Sequence, residues 1–195
     1  MSNFINNKQK GVILTNVVNP ETIGVFGLII TVWVFGLEQL GIGLDRETDH
    51  EKLGRNLSNI ALCFGAAAQI FTALCFYLFD VGMLPELRIY LGTIFATYGL
   101  FWIVVAMHFY NPGDKKVYAH FFFGIFCMTA VFSYKAILLG KIWPLGTVLL
   151  LIGLLTILLP FAWYTQNKVI TKICGATNIA IALCAIPILL HSLGL

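Results

Sequence analysis

Two segments decide the fold of this chain: FGAAAQIFTALCFYLF, from Phe64 to Phe79, and IYLGTIFATYGLFW, from Ile89 to Trp102. Each belongs to an apolar run of about 20 residues, which is long enough to cross the hydrocarbon core of a bilayer. The first run places the amide of Gln69 near its centre. Because lipid offers this amide no hydrogen-bond partner, Gln69 is predicted to face protein or water.

Helical spacing gives both segments an inward face. Gln69 and Thr72 lie three residues apart in the first, and Phe95, Tyr98 and Trp102 recur at i, i+3 and i+7 in the second. Polar tips beside an aromatic wall would line a narrow pathway for a small polar solute. The alternatives are an interhelical hydrogen bond for Gln69 and ordinary core packing for the aromatic residues.

The whole chain has the composition of an integral membrane protein. Of its 195 residues 59% are apolar and only 11% are charged. Six apolar runs can be marked, at Ile23–Leu44, Leu57–Phe79, Ile89–Tyr110, Tyr118–Leu139, Leu145–Thr165 and Ile173–Leu193. We therefore predict an all-α polytopic membrane protein with six transmembrane helices, in which residues 1–18 form a polar N-terminal tail and residues 19–195 form the transport domain.

Several function classes are disfavoured. The connectors are too short for a soluble catalytic or nucleotide-binding domain, and no glycine-rich phosphate loop or nucleophile–base pair is present. The net charge of +3 is too small and scattered for nucleic-acid binding. The five cysteines lie in apolar runs without paired histidine or aspartate neighbours, so no metal site is expected. We predict neither enzyme activity nor a cofactor, and the polar tail argues against a removed signal peptide.

Three further polar features are singled out, each with a structural alternative. Asn19-Pro20 is typical of a helix start, whose free N–H groups could also attract a carboxylate. Glu38 is expected near the opposite interface, either solvated or facing the lumen as a titratable gate. Asn178 in the sixth run either lines the pathway or bridges two helices.

Two polar regions are expected outside the membrane core. The segment from Asp45 to Asn56 mixes acids and bases without apolar periodicity and is predicted to be a solvated loop. His108 and His120 flank the third connector and are predicted to lie at the interface, without enough ligands for a metal site.

Four motifs in order resemble those of the acetate uptake transporter family, which includes bacterial succinate/acetate permeases and yeast acetate and ammonia exporters. They are Asn19-Pro20 followed by Gly24, the stretch from Gly65 to Tyr77, Phe95-x-x-Tyr98-Gly99-x-Phe101-Trp102, and Ile173-Cys174-Gly175-Ala176.

The resemblance implies a six-helix subunit of the cytoplasmic (inner) membrane that assembles as a homo-hexamer, surrounded by lipid. Each protomer would carry acetate and other small carboxylates such as succinate, by proton coupling or as a channel. It assigns Tyr98 to a hydrophobic constriction, places Leu28 where the family has a constriction phenylalanine, and ties Asn19 and Pro20 to substrate uptake.

One departure concerns the substrate. Where the family has Asn-Pro-Ala-Pro-Leu-Gly, this chain has Asn-Pro-Glu-Thr-Ile-Gly, so Glu21 adds a negative charge near the expected path of an anion. The leading hypothesis is a proton-linked acetate permease with a neck around Tyr98 and Gln69. The alternatives are a channel for a neutral amide such as urea, and a non-transporting membrane scaffold or sensor.

Overall fold

The structure, a computed structural model, describes residues 19–43, 49–79 and 87–195. Within these ranges six helices are long and apolar enough to cross a membrane: α1 Glu21–Leu40, α2 His50–Leu78, α3 Arg88–Tyr110, α4 Lys115–Leu138, α5 Ile142–Thr165 and α6 Lys168–Ser192. The predicted all-α, six-span architecture is confirmed, and the chain is a multi-pass membrane protein. The predicted tail, residues 1–18, lies outside the described residues.

The six helices pack as a closed ring. α1 contacts α2 and α6, α2 contacts α3, α4 contacts α5, and α5 contacts α6. α3 and α4 complete the ring through long side chains: Tyr90 Oη donates to the carbonyl of Phe132 at 2.6 Å, and the rings of Phe101 and Phe122 lie 5.5 Å apart. The ring therefore surrounds a central axis that receives side chains from several helices.

Glycines set how closely α1 approaches its neighbours. A Cβ added at Gly27 would lie 2.2 Å from the carbonyl oxygen of Phe64 in α2, and one added at Gly36 would lie 3.0 Å from the carbonyl oxygen of Gly175 in α6. Small residues allow such close backbone contacts between membrane helices. These crossings hold α1 against both neighbours and so place its inward face on the axis.

The predicted solvated loop of residues 45–56 is helical from His50 onward, so that prediction was wrong for this part. Asp49 caps the helix, because its carboxylate accepts two backbone N–H groups of the first turn, each at 3.1 Å. These backbone hydrogen bonds lower the pKa of Asp49 below its usual value. An ion pair between Glu51 and Arg55, one turn apart, adds support. Apolar periodicity did not predict this first turn of α2, because the turn is stabilised by the Asp49 cap and by the Glu51–Arg55 ion pair.

Candidate functional site

Three cavities follow one another along the axis of the ring. The vestibule, of about 390 Å³, lies between the ends of α1, α3 and α5 and the beginnings of α4 and α6. The chamber, of about 60 Å³, lies near the beginning of α1 and the end of α6. The middle cavity, of about 20 Å³, lies between them and shares lining residues with both. It has room for about one water molecule, so a larger solute needs the adjoining side chains to move.

The inner neck separates the chamber from the middle cavity. It consists of Leu28, Tyr98 and Ile152, which line both cavities. α1, α3 and α5 each supply one of these side chains. The neck is therefore apolar apart from one phenol hydroxyl, as is typical of a hydrophobic constriction.

Tyr98 is held in the neck by a hydrogen bond to α4. Its Oη lies 2.9 Å from Oγ1 of Thr129, and that Thr129 hydroxyl lies 2.8 Å from the carbonyl oxygen of Ile125. Because a carbonyl can only accept, Thr129 donates to Ile125 and Tyr98 donates to Thr129. The phenol hydroxyl is thus satisfied by protein, and the ring presents its apolar surface to the pathway.

Thr129→Val is expected to destabilise the protein because it leaves the buried Tyr98 hydroxyl without its acceptor, at a cost of about 1–3 kcal/mol. Thr31→Val is the matched control, since within the described residues the Thr31 hydroxyl bonds only the carbonyl of Gly27 in its own helix. Thermal unfolding in detergent measures the difference between the two variants. Tyr98→Phe combined with Thr129→Val should recover most of the loss, and a double variant as unstable as Thr129→Val would contradict this assignment.

The outer neck separates the middle cavity from the vestibule. It consists of Phe101, Trp102 and Leu155, which line both cavities. Trp102 packs against Phe35 of α1 at a ring distance of 5.2 Å. Its place depends on Gly65 of α2, where an added Cβ would lie 2.6 Å from Trp102 Cγ. The small residue in α2 thus makes room for the indole that closes this neck.

The chamber combines an apolar wall with two polar side chains, Gln69 and Glu21. Gln69 is buried, and its Nε2 donates to no hydrogen-bond acceptor among the described residues. Phe95 forms part of the wall and stacks on Phe76 at a ring distance of 6.0 Å. The chamber wall is therefore largely apolar, and the unpaired amide of Gln69 lies buried behind it.

The vestibule contains Asn178 and Glu38. Asn178 Nδ2 donates to Oε1 of Gln39 at 3.0 Å, which links α6 to α1. Its Oδ1 accepts from no donor in the described ranges. Asn178 therefore bridges two helices, as one of its two predicted roles requires, and it also lines the vestibule; its role in a transport pathway stays a prediction.

His108 lies in the last turn of α3 and is buried among aromatic side chains. Its side chain is buried, with its ring 4.3 Å from that of Tyr118 and 4.9 Å from that of Trp163. It lines the vestibule together with Lys115. Trp163 on α5 is distant in the sequence, and for this reason position along α3 alone did not indicate the burial of His108.

Asn19 and Pro20 join the start of α1 to neighbouring helices. Asn19 Nδ2 donates to the carbonyl of Ser192 at 3.1 Å, and its Oδ1 accepts from the backbone N–H of Glu21 at 3.2 Å. The carbonyl of Pro20 accepts from Thr72 Oγ1 at 2.9 Å. The motif thus holds the first turn of α1 against α6 and α2, next to the chamber.

Gly24 permits contact between α1 and the chamber wall. A Cβ added there would lie 2.6 Å from Cε1 of Phe95. Asn19, Pro20 and Gly24 are not among the residues that line the three cavities. Their role in substrate uptake stays a prediction, and their observed contacts position the residues that do line the chamber.

The structure thus distributes the predicted site residues along one axis: Gln69 and Phe95 in the chamber, Leu28 and Tyr98 at the inner neck, Trp102 at the outer neck, and Asn178 and Glu38 in the vestibule. Sequence reasoning missed the α5 residues Ile152 and Leu155. Both lie in a nearly continuous apolar helix, whose buried mid-span threonine, Thr156, also lines the middle cavity. Phe101 was also missed as a neck residue, although it stands in the Tyr98 to Trp102 motif.

The described residues contain no group of three or more histidine, cysteine, aspartate or glutamate side chains placed to hold a metal ion. The polar groups along the axis are instead amides, hydroxyls and isolated charges. Such groups bind or orient a small solute by hydrogen bonding.

The described residues thus form a six-helix membrane ring with three cavities in a row along its axis. No protein-family model matches the chain, and no curated protein matches its sequence. Among solved structures, it is similar to one described as the structure of the bacterial acetate channel SatP, with 20% identity, a TM-score of 0.70, and coverage of 90% of this chain and 91% of that chain. At this identity the match shows a shared fold, and it supports the relationship to the acetate uptake transporter family that the sequence motifs indicate.

Proposed function

We propose that this chain is a membrane permease or channel for acetate and other small carboxylates such as succinate. The observation that carries the proposal is the row of three cavities inside one protomer, divided by two apolar necks. A scaffold or sensor would need no such row. The similarity in fold to an acetate channel supports acetate as the first substrate to test.

The charges along the axis favour passage of the neutral acid over the anion. Lys115 and His108 line the vestibule, but no basic side chain in the described ranges lines the middle cavity or the chamber, where Glu21 is acidic. A carboxylate anion would lose its hydrating water at the necks, where no cation replaces that stabilisation. This loss costs far more free energy than moving the neutral acid through the same necks. We therefore propose proton-linked transport, in which the carboxylate and the proton cross together.

A neutral amide such as urea is the second candidate. Gln69 Nε2 and Asn178 Oδ1 lack hydrogen-bond partners among the described residues, so a solute that reached these two buried atoms would find one donor and one acceptor. An amide carries both complementary groups. Each of these sites could also be satisfied by the hydroxyl and carbonyl of a protonated carboxylic acid.

We also propose that the protein assembles as a homo-hexamer in the inner cell membrane, as the family resemblance implies. Large apolar side chains on the outer surface, such as Leu100, Val131 and Leu183, suit contact with lipid or with neighbouring subunits. Because each protomer encloses its own cavities, the pathway would lie within each subunit. The proposed activity is transport, with no enzymatic step.

Uptake of labelled acetate and labelled urea into proteoliposomes tests the proposal. Protein-free liposomes are the necessary control, because neutral acetic acid also crosses lipid. Protein-dependent acetate uptake should fall as external pH rises, since the neutral fraction drops about tenfold for each pH unit above the pKa of the acid.

Three other outcomes have distinct meanings. Equal protein-dependent acetate uptake at low and neutral pH would contradict proton linkage. Urea uptake without acetate uptake would establish the second candidate. If the protein takes up neither acetate nor urea, the proposed transport function is wrong, although the fold is shared with a channel.

A further inference from the structure

A further cavity opens on the side of the ring, next to the vestibule. This lateral groove, of about 890 Å³, runs between the beginning of α2 and the connection from α3 to α4. Arg55 lies at its polar end, and Leu62 and Met107, both exposed, lie at its apolar end. Leu62 follows Arg55 by seven residues, about 10 Å along the helix axis. The groove therefore extends from the membrane interface toward the hydrocarbon.

Two buried polar groups border this groove without a partner. Ser58 is 1% exposed and His108 is 6% exposed, and neither Ser58 Oγ nor His108 Nδ1 has a hydrogen-bond partner among the described residues. A serine hydroxyl inside a helix usually bonds the carbonyl four residues earlier. Buried polar groups are rarely left unpaired, so a partner that reached them from the groove would satisfy both atoms.

The charges around the groove favour an anion. Arg55 and Lys115 are basic, Glu51 is acidic, and His50 and His108 supply two imidazoles. Glu51 pairs with Arg55, whereas Lys115 forms no ion pair within the described ranges. One positive charge is therefore left uncompensated, and the guanidinium of Arg55 still has further N–H donors.

We propose that the lateral groove binds an anionic phospholipid. Its phosphate would lie against Lys115 and Arg55, within reach of the Ser58 hydroxyl, and an acyl chain would follow Leu62 and Met107. Basic pockets between transmembrane helices at the membrane interface are suited to such headgroups. A ligand with a charged headgroup and an apolar tail therefore matches the polar end of the groove at Arg55 and its apolar end at Leu62 and Met107.

The site has a direct connection to the pathway. His108, Phe109 and Lys115 line both the lateral groove and the vestibule. A phosphate held on the groove side would draw Lys115 away from the vestibule and satisfy His108. Binding of the lipid would therefore alter the charge at one end of the transport pathway.

Native mass spectrometry of the full-length protein in detergent tests the proposal. The probes are dioleoylphosphatidylglycerol, which is anionic, and dioleoylphosphatidylcholine, which has the same tails and no net charge. The phosphatidylglycerol should be retained preferentially, and Arg55→Ala and Lys115→Ala should each weaken its binding about fivefold. Lys168→Ala is the matched control, because Lys168 begins α6 at the same side of the membrane but does not line the groove.

Ser58→Ala keeps all charges and should also weaken the binding of phosphatidylglycerol. Size-exclusion profiles test whether each variant is folded. Equal binding of the two lipids, or equal loss in Lys168→Ala, would overturn the proposal. Displacement of the phosphatidylglycerol by millimolar inorganic phosphate would mean a site for a free anion and would overturn the assignment to a lipid.

Discussion

Replacing Tyr98 with alanine is expected to remove most of the discrimination between acetate and larger carboxylates. The side chain is one of three that separate the chamber from the middle cavity, so its loss would merge the two cavities. If the neck raises the barrier for a larger solute by only ~1.4 kcal/mol, its removal speeds that solute about tenfold. Uptake of labelled acetate and labelled succinate by the same proteoliposomes measures the ratio.

Two variants control for indirect effects. Tyr90→Ala removes another tyrosine of α3 that also donates a hydrogen bond to α4, but Tyr90 lines none of the three cavities. Tyr98→Phe keeps the ring in the neck and removes only the hydroxyl. Both variants should keep the selectivity of the unmodified protein. If Tyr98→Ala also keeps it, or if Tyr90→Ala loses it to the same extent, the inner neck does not set selectivity.

Gly27→Ala is expected to cause the largest loss of stability among single-methyl additions. The new Cβ would lie 2.2 Å from the carbonyl oxygen of Phe64 and 2.7 Å from Cβ of Ala68, so the backbones of α1 and α2 must separate. Overpacking of this kind typically costs about 1–3 kcal/mol, and a clash with backbone belongs at the upper end. Thermal unfolding in detergent, followed by the loss of the folded peak in size exclusion, measures the effect.

Gly124→Ala is the matched control. Gly124 lies within α4, and a Cβ there would meet no atom within 4 Å. This variant should be neutral or more stable by up to ~1 kcal/mol, because alanine favours the helix over glycine. A Gly27→Ala protein as stable as Gly124→Ala would show that the crossing of α1 and α2 can relax at little cost.

Hydropathy determined the number and type of helices because a bilayer requires each span to be long, apolar and internally hydrogen-bonded. Helical periodicity also predicted which face of α3 turns inward. Phe95, Tyr98 and Trp102 all line the axis, and the mid-span amide of Gln69 faces the chamber. These residues could be predicted because an amide or an aromatic stripe within an apolar run is itself a signal.

Only the tertiary structure decided how these residues combine along the axis. Gln69 and Asn178, both intramembrane amides in the sequence, lie in different cavities. Ile152 and Leu155 complete the two necks, although they belong to a nearly continuous apolar run that does not distinguish them. A neck is made by side chains from several helices, and its width depends on how closely those helices approach. That distance is set by contacts such as Gly65 with Trp102, whose partners are far apart in the chain. The sequence by itself therefore determined a six-span membrane protein with an inward polar and aromatic face, whereas packing between distant helices decided where the pathway narrows.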